Sequence, residues 1–299
     1  MSILYFAAGL GVFLLSFVLF KPSLLLARAV GAIDIPKGRK MHSRPTARVG
    51  GFAFFVAFIL FLPLLPIRAE IKVELLLGGG IMFLVGFFDD ALQLSPFVKL
   101  CGQLLAATVY LLIADFHMHA IYSIILLFWI VFITNAINLI DGLDGLAGGV
   151  SCSIALALSV ISMIFGSYDI TLASLLLLFA ILGFLPRNIP PARIFMGDCG
   201  ALTLGFLLAS LSARLIFESR SLLCWISVVL QFRLPSADTV QCFIRRLISG
   251  KSPFAADRGH FHHKLLQRGF TPECASLLLI TASLLLGLLS IAIASLSLI

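Results

Sequence analysis

The sequence predicts an all-α fold: a polytopic integral membrane bundle of about ten transmembrane helices, with its chemistry gathered at one face. Three observations predict it. The 299 residues are 61% hydrophobic and only 12% charged, with a mean hydropathy of +1.12, whereas soluble domains are roughly half apolar and a quarter charged. Apolar stretches of about 17 to 25 residues, enough to cross a bilayer, recur from end to end. The unusual polar segments between them fall on one side of the alternating spans. A single membrane domain over 1–299 is expected, without a separate soluble unit.

Taken in order, the first span at 2–20 lacks a basic leading segment and a small-residue cleavage site, so it is expected to be retained rather than removed. The polar stretch "DIPKGRKMHSRPTARVGG" (34–51) follows it, then spans at 50–66 and 72–88, the latter ending in "FFDD" (87–90). Spans at 97–114 and 120–139 come next, and the second runs into "NAINLIDGLDGLAGG" (135–149). Spans at 146–165 and 170–185 lead to "PRNIPPARIFMGDCG" (186–200). Spans at 199–215 and 221–234, the last of them short, precede "KSPFAADRGHFHHKLL" (251–266), and a final span covers 273–297.

Alternation puts all five polar segments on the same face. That face holds seven Lys/Arg within 21–48, Lys99, Arg187 and Arg193, and seven more within 233–268, seventeen of the twenty-one in the chain. The opposite side carries only Arg68, Lys72, Arg214 and Arg220. The positive-inside rule makes the basic face cytoplasmic and sends both termini outward. The net charge of +7 therefore reports topology and not a nucleic-acid partner.

Other classes are excluded by what the motifs lack. Six scattered cysteines with no CxxC pair indicate neither a zinc site nor a disulfide framework. No P-loop and no GxGxxG opening a strand and helix is found, which argues against a nucleoside triphosphatase or a dinucleotide enzyme. His117 and His119 of "FHMHA" read as solvated loop residues. The "HFHH" histidines have no cysteine near them in sequence, and their basic neighbours Arg258, Lys264 and Arg268 favour an anion over zinc.

What remains is chemistry for phosphate. A carboxylate costs about 2.5 to 3.5 kcal/mol at the bilayer centre and less near the interface, so Asp89, Asp90, Asp141, Asp144 and Asp198 at span ends mark function or pairing. Steps of three residues put Asn135, Asn138 and Asp141 on one broad helical face. Gly142 and Gly145 can end that helix and turn the chain, which leaves Asp144 free to point back into the same pocket. Amide and carboxylate oxygens suit Mg²⁺, which usually shares its shell with substrate phosphates. Lys99, Arg39, Lys40 and the His260/His262/His263 cluster supply cations for a diphosphate at the same face.

The ordered set "RKMHSRPTARVGG", "FFDD", "NAINLIDGLDGL", "PPARIFMGDCG" and "DRGHFHHKLL", spread over about residues 34 to 266, resembles the polyprenyl-phosphate N-acetylhexosamine-1-phosphate transferases. These membrane enzymes of glycosyltransferase family 4 start lipid-linked envelope glycans such as the O-antigen of lipopolysaccharide, in cell-wall biogenesis, and are related to the phospho-N-acetylmuramoyl-pentapeptide transferase of peptidoglycan synthesis. The resemblance implies transfer of a sugar 1-phosphate from a UDP-N-acetylhexosamine to undecaprenyl phosphate, with release of UMP, at the bacterial inner membrane. It implies Mg²⁺, or Mn²⁺ in its place, a UDP-sugar donor, a polyprenyl phosphate acceptor and surrounding membrane lipids; it admits a homodimer and involves no nucleic acid.

By motif position the resemblance implies Asp198 as the principal metal ligand, with Asn138 as a second. It makes Asp89 and Asp90 essential acids, one of them acting on the acceptor phosphate. Asp144 and Phe195 match positions that contact uracil, Asp141 lies beside them, Lys99 matches a lysine on the diphosphate, and His260, His262 and His263 would close over the donor. Ala47, Arg187 and Ala201 depart from the family pattern without removing any of these ligands. The separated His260 and the Lys264 after His263 side with the N-acetylhexosamine branch over the peptidoglycan branch. Direct attack by the acceptor phosphate is favoured over a covalent phosphosugar on Asp89 or Asp90. Against the enzyme reading stands a transporter or channel, since intramembrane acids also mark ion paths; its weakness in the sequence is that no polar trail crosses the other half of the spans. An inactive scaffold is the remaining reading.

Overall fold

The computed structural model describes residues 2–35, 45–114, 116, 120–250 and 259–298, with side chains from Tyr5 onward. Arg39, Lys40, His117, His119 and Arg258 lie outside the described residues.

In chain order the helices are α1 (Ser2–Val18), α2 (Phe20–Ala29), α3 (Gly51–Phe61), α4 (Ala69–Leu92), α5 (Pro96–Ala114), α6 (Ala120–Ile140) and α7 (Leu146–Ile164). They continue as α8 (Tyr168–Phe184), α9 (Gly197–Ser219), α10 (Leu222–Gln231), α11 (Arg233–Ile248), α12 (Phe261–Gln267) and α13 (Pro272–Ser295); α2, α11 and α12 lie in stretches that the sequence puts between spans, and the rest match predicted apolar runs. Among the described residues eight helical stretches are long and apolar enough to cross a membrane. The runs at 50–66 and 221–234 form shorter apolar helices, Gly51–Leu64 and Leu222–Gln231. The chain is thus an all-α, multi-pass membrane protein. Among the described residues one strand pair forms, β1 (Ile33–Asp34) with β2 (Thr46–Ala47), antiparallel with Ile33 opposite Ala47.

Helix α9 is the axis. Its apolar window is 94% buried, and α3, α4, α6, α7, α8 and α10 all pack on it. Small residues Gly200, Ala201, Gly205, Ala209, Ser210, Ser212 and Ala213 let those neighbours approach, the usual basis of close packing where lipid gives no hydrophobic drive between helices. Interhelix hydrogen bonds add to it: Tyr110 Oη donates to the Ser210 carbonyl at 2.8 Å, Trp129 Nε1 to Ser212 Oγ at 3.0 Å, and Ser16 Oγ to the Ala180 carbonyl at 2.7 Å. The outer helices turn large apolar residues outward, among them Phe97, Leu112, Leu285 and Leu288, as a lipid-facing ring requires.

Two charged residues find partners that the sequence does not show. Arg214, expected at the outer side, is buried inside α9; its Nη1 donates to Glu74 Oε1 at 2.9 Å and to the Ala114 carbonyl at 3.2 Å, and its Nε to Glu218 Oε1 at 2.9 Å. Arg68 joins Glu218 and Asp169 to the same cluster. Polar groups therefore do occur in the half of the bundle away from the five motifs, and among the described residues Arg214, Glu74, Glu218, Arg68 and Asp169 form one ion-pair network there. Arg187, where the family carries an aromatic residue, stacks its guanidinium on Phe17 and Phe20, 4.6 and 5.0 Å from the ring centroids, and so docks the α1–α2 junction beside the loop after α8.

Candidate active site

The alternating helices bring the end of α4, the start of α5, the end of α6 and the start of α9 to one end of the bundle, around a cavity of about 1970 Å³. Asp89, Lys99, Asn138, Asp141, Asp144, Phe195, Asp198 and His263 line it, so eight of the sequence-predicted site residues meet in one place. Asp90, His260 and His262 lie behind its wall.

At the cavity floor Lys99 Nζ donates to Asp89 Oδ2 at 3.1 Å and to Asp198 Oδ2 at 2.9 Å, bridging α4 and α9 from α5. Asn138 Nδ2 donates to the other oxygen, Asp198 Oδ1, at 3.3 Å. Both carboxylates are thereby held by groups from separate helices. Asn135, one turn deeper on α6, forms a reciprocal amide pair with Gln103 of α5, at 2.6 and 3.1 Å. Gln103 is one turn along from Lys99 and Asn135 one turn before Asn138, so this pair fixes the α5–α6 spacing directly beneath the two.

Neighbouring helical residues point about 100° apart, and this separates the two acids of "FFDD". The helix runs to Leu92, past the predicted span end, with Gln93 left-handed at φ 56°. Asp89 faces the cavity, while Asp90, 7% exposed, turns into the protein. Asp90 accepts the backbone N–H of Asp198 on Oδ1 and that of Cys199 on Oδ2, each at 2.9 Å. Those are donors that the start of a helix leaves without partners, so Asp90 caps α9 from another helix. Gly197 makes this possible, because at φ +73° a Cβ would lie 1.6 Å from the Arg48 carbonyl oxygen. Gly86, one turn before Asp90, brings α4 against the Asp198 backbone, where a Cβ would stand 2.3 Å from the carbonyl oxygen.

The turn after α6 supplies the other wall. Helix α6 ends at Ile140, and Gly145 takes φ +71°. Asp141 is half-buried, and burial, with the charges of Asp198 and Asp90 adding to it, pushes its carboxyl up to about 7. Asp144 does point back: its Oδ2 accepts the Ala192 N–H at 2.9 Å and braces the loop at 188–193, while its carbonyl accepts Ser276 Oγ of α13 at 3.1 Å. Phe195 is stitched to the β2 segment, with its N–H on the Ala47 carbonyl (2.8 Å) and its carbonyl accepting Gly50 N–H (3.0 Å). Ala47, another departure from the family pattern, uses only its backbone here.

The three histidines divide. His263 lines the cavity. His262 lies against Gly142, and burial together with the neighbouring His263 and His260 pushes its pKa down to about 4, so the ring is neutral at ordinary pH. His260 is turned to α11, where its Nδ1 lies 2.7 Å from Asp238 Oδ2 and 3.4 Å from Cys242 Sγ. Asp238 and Cys242 escaped the sequence reading because hydropathy puts the stretch after residue 234 between spans, with no helix to give their spacing a meaning; that spacing of four, which puts both on one helical face, was the available signal.

Arg48 and Arg193 join Lys99 and His263 as basic residues of the cavity, against Asp34, Asp89, Asp141, Asp144, Asp198 and Glu273. Among the described lining residues acids outnumber bases, and such a surface favours a cation-bound phosphate over a bare one. The donor set of Asp198, Asp89 and Asn138, all oxygen-bearing, fits that ion.

A sequence profile of glycosyl transferase family 4 matches residues 73–216, the stretch that carries Asp89, Lys99, Asn138, Asp141, Asp144, Phe195 and Asp198. The chain belongs to this family of membrane transferases. Among its relatives, a probable undecaprenyl-phosphate N-acetylglucosaminyl 1-phosphate transferase of Bacillus subtilis is 34% identical over 85% of this chain and 75% of its own length. An undecaprenyl-phosphate alpha-N-acetylglucosaminyl 1-phosphate transferase of Thermotoga maritima is 32% identical over 93% of this chain and 87% of its own length. A decaprenyl-phosphate N-acetylglucosaminephosphotransferase of Mycobacterium tuberculosis is 31% identical over 87% and 75% respectively.

Proposed function

We propose that the chain transfers an N-acetylhexosamine 1-phosphate from its UDP ester to a polyprenyl phosphate at the cytoplasmic face of a bacterial membrane, releasing UMP. The observation that carries this is the Asp89–Lys99–Asp198 bridge at the floor of a cavity walled partly by apolar Phe20, Leu24, Leu94 and Leu266. Such a cavity offers one place to an anionic, water-soluble donor and to the phosphate of a lipid. The relatives' names support the same reaction, and the excess of Lys/Arg at this end supports the cytoplasmic orientation.

In this reading Asp198 and Asn138 would hold Mg²⁺, which when bound supplies charge neutralisation for the diphosphate and the leaving phosphate. Lys99 exchanges a carboxylate partner for a phosphate oxygen of the donor. Asp89, beside it and facing the cavity, orients the acceptor phosphate and takes its remaining proton. An acceptor oxygen attacks the sugar-bearing phosphorus, the bond from that phosphorus to the bridging oxygen breaks, and UMP leaves. Asp90 is occupied by two backbone amides, so neither the nucleophile nor the base falls to it. Phe195, Asp141 and Asp144 flank the nucleotide, and Arg48 and Arg193 meet its phosphates.

The test is a donor panel with purified protein in detergent, Mg²⁺ and undecaprenyl phosphate. UMP release and lipid product are expected with a UDP-N-acetylhexosamine. Product from UDP-N-acetylmuramoyl-pentapeptide alone would move the chain to the peptidoglycan branch, and no UMP from any donor would sink the transferase reading.

A further inference from the structure

Asp238 is 1% exposed, lies in the second turn of α11 and does not line the cavity. Both of its oxygens are used on one short stretch of chain: Oδ1 accepts the Phe261 N–H at 2.6 Å, and Oδ2 meets His260 Nδ1 at 2.7 Å. Three more side chains of α11 hold the same stretch. Gln241 Nε2 and Arg245 Nη1 donate to the Gly259 carbonyl at 3.2 and 3.3 Å, and Cys242 Sγ lies 3.4 Å from His260 Nδ1. Residues 238, 241, 242 and 245 follow the i, i+3, i+4, i+7 pattern, so a whole stripe of α11 faces this one strand of backbone.

What the stripe holds is the start of α12. Seven residues make a helix too short to be stable alone, and its first N–H groups have no partner inside it. From the anchored His260 the imidazoles run on toward the cavity: His260 and His262 stack at 5.7 Å between centroids and 7° between planes, and His262 meets His263 at 4.2 Å. His263 is the member of the row that stands in the cavity.

We propose that Asp238 is a positioning residue: by holding the His260 ring and the Phe261 amide it sets α12 so that His263 faces the donor's phosphates. The inference rests on the transferase reading for its kinetic arm alone. Asp238, Cys242 and His260 also lie close enough to share a metal ion, all their ligand atoms being within 4.8 Å of one another. Arg245 argues against that, since its Nη2 stands 3.4 Å from Cys242 Sγ and places a fixed positive charge on the cluster.

The test compares Asp238→Asn, His263→Asn and the double variant. Asp238→Asn is expected to raise KM for the UDP-sugar about fivefold or more with a smaller change in kcat, and to cost less than about twofold in kcat/KM once His263 is already Asn. Equal costs in both backgrounds, or no cost, overturn the proposal. A readout without turnover keeps it separate from the transferase reading: amide exchange over 261–267 is expected to quicken about tenfold in Asp238→Asn, and unchanged exchange overturns the anchor even if the chain proves inactive. Should Asp238→Asn fail to fold, Phe261→Pro measured against Phe261→Ala carries the test. Residue 261 is the first of α12 and His260 is extended (φ −58°, ψ 154°), so proline fits and removes the donor; exchange faster than in the alanine variant is expected, and equality overturns the proposal. One zinc per chain in purified wild type, lost in Cys242→Ser, would replace the hydrogen-bonded anchor with a metal site.

Discussion

Asp89, Asp90 and Asp198 look alike in sequence and differ in what they touch. On the proposed reading, in which Asp198 holds the metal, Asp198→Asn is expected to abolish turnover while leaving expression intact, because it weakens that ligation without emptying volume; activity within about threefold of wild type would remove it from that role. Asp90→Ala is expected to lower stability by about 1–3 kcal/mol through two stranded amides at the head of α9, seen as a lower Tm in detergent. His262 gives a pH signature. Its folded pKa of about 4 lies below the ordinary 6.5, so the neutral ring favours the folded state. That contribution is full above 6.5 and is lost as pH falls from 6.5 toward 4, a change of up to about 3 kcal/mol. Tm should fall across that window, and His262→Phe should flatten the fall. Residue types and spacing showed that acids and histidines gather; which way each ring or carboxylate turns depended on partners on other helices, 22 residues away for His260 and 108 for Asp90.

At the level of elements, the turn into α9 is the most constrained piece. Gly197→Ala is expected to prevent folding or cost well over about 2 kcal/mol, since the left-handed backbone is itself worth about 1–2 kcal/mol against an L side chain and the Cβ would overlap the Arg48 carbonyl. Limited proteolysis and Tm of the expressed variant check this. Helix positions were legible from hydropathy, because long apolar runs have no other stable form in lipid. The continuation of α4 through Asp89 and Asp90 to Leu92 was not, since a window that scores hydropathy stops at the first charges. Nor was the grip of α11 on α12, because a polar helix with Asp, Gln, Cys and Arg on one stripe carries no apolar signal. The pairing of Asn135 with Gln103 gives a task to a residue whose spacing had placed it on the site face.

Over the whole molecule, the site at one end has a counterweight at the other in Arg214, Glu74, Glu218 and Arg68. Removing one member of a buried pair leaves the other charge stranded, so Arg214→Leu or Glu74→Leu alone is expected to cost about 3–5 kcal/mol, and the double variant less than the sum. Tm in detergent measures the cycle; additivity would show that the two do not support one another. Sequence placed Arg214 at the end away from the five motifs but did not show its burial, because its partner, Glu74, lies 140 residues earlier and no local pattern joins them. The central burial of α9 has a further effect. Lipid grips only the ring of helices around it, so when bilayer thickness changes, those helices can tilt and slide against the headgroups while α9 is held by protein on every side. The depth at which Asp198 sits is then a property of the chain, whereas its partners Asp89 and Lys99 ride on α4 and α5, helices that the membrane can tilt around it.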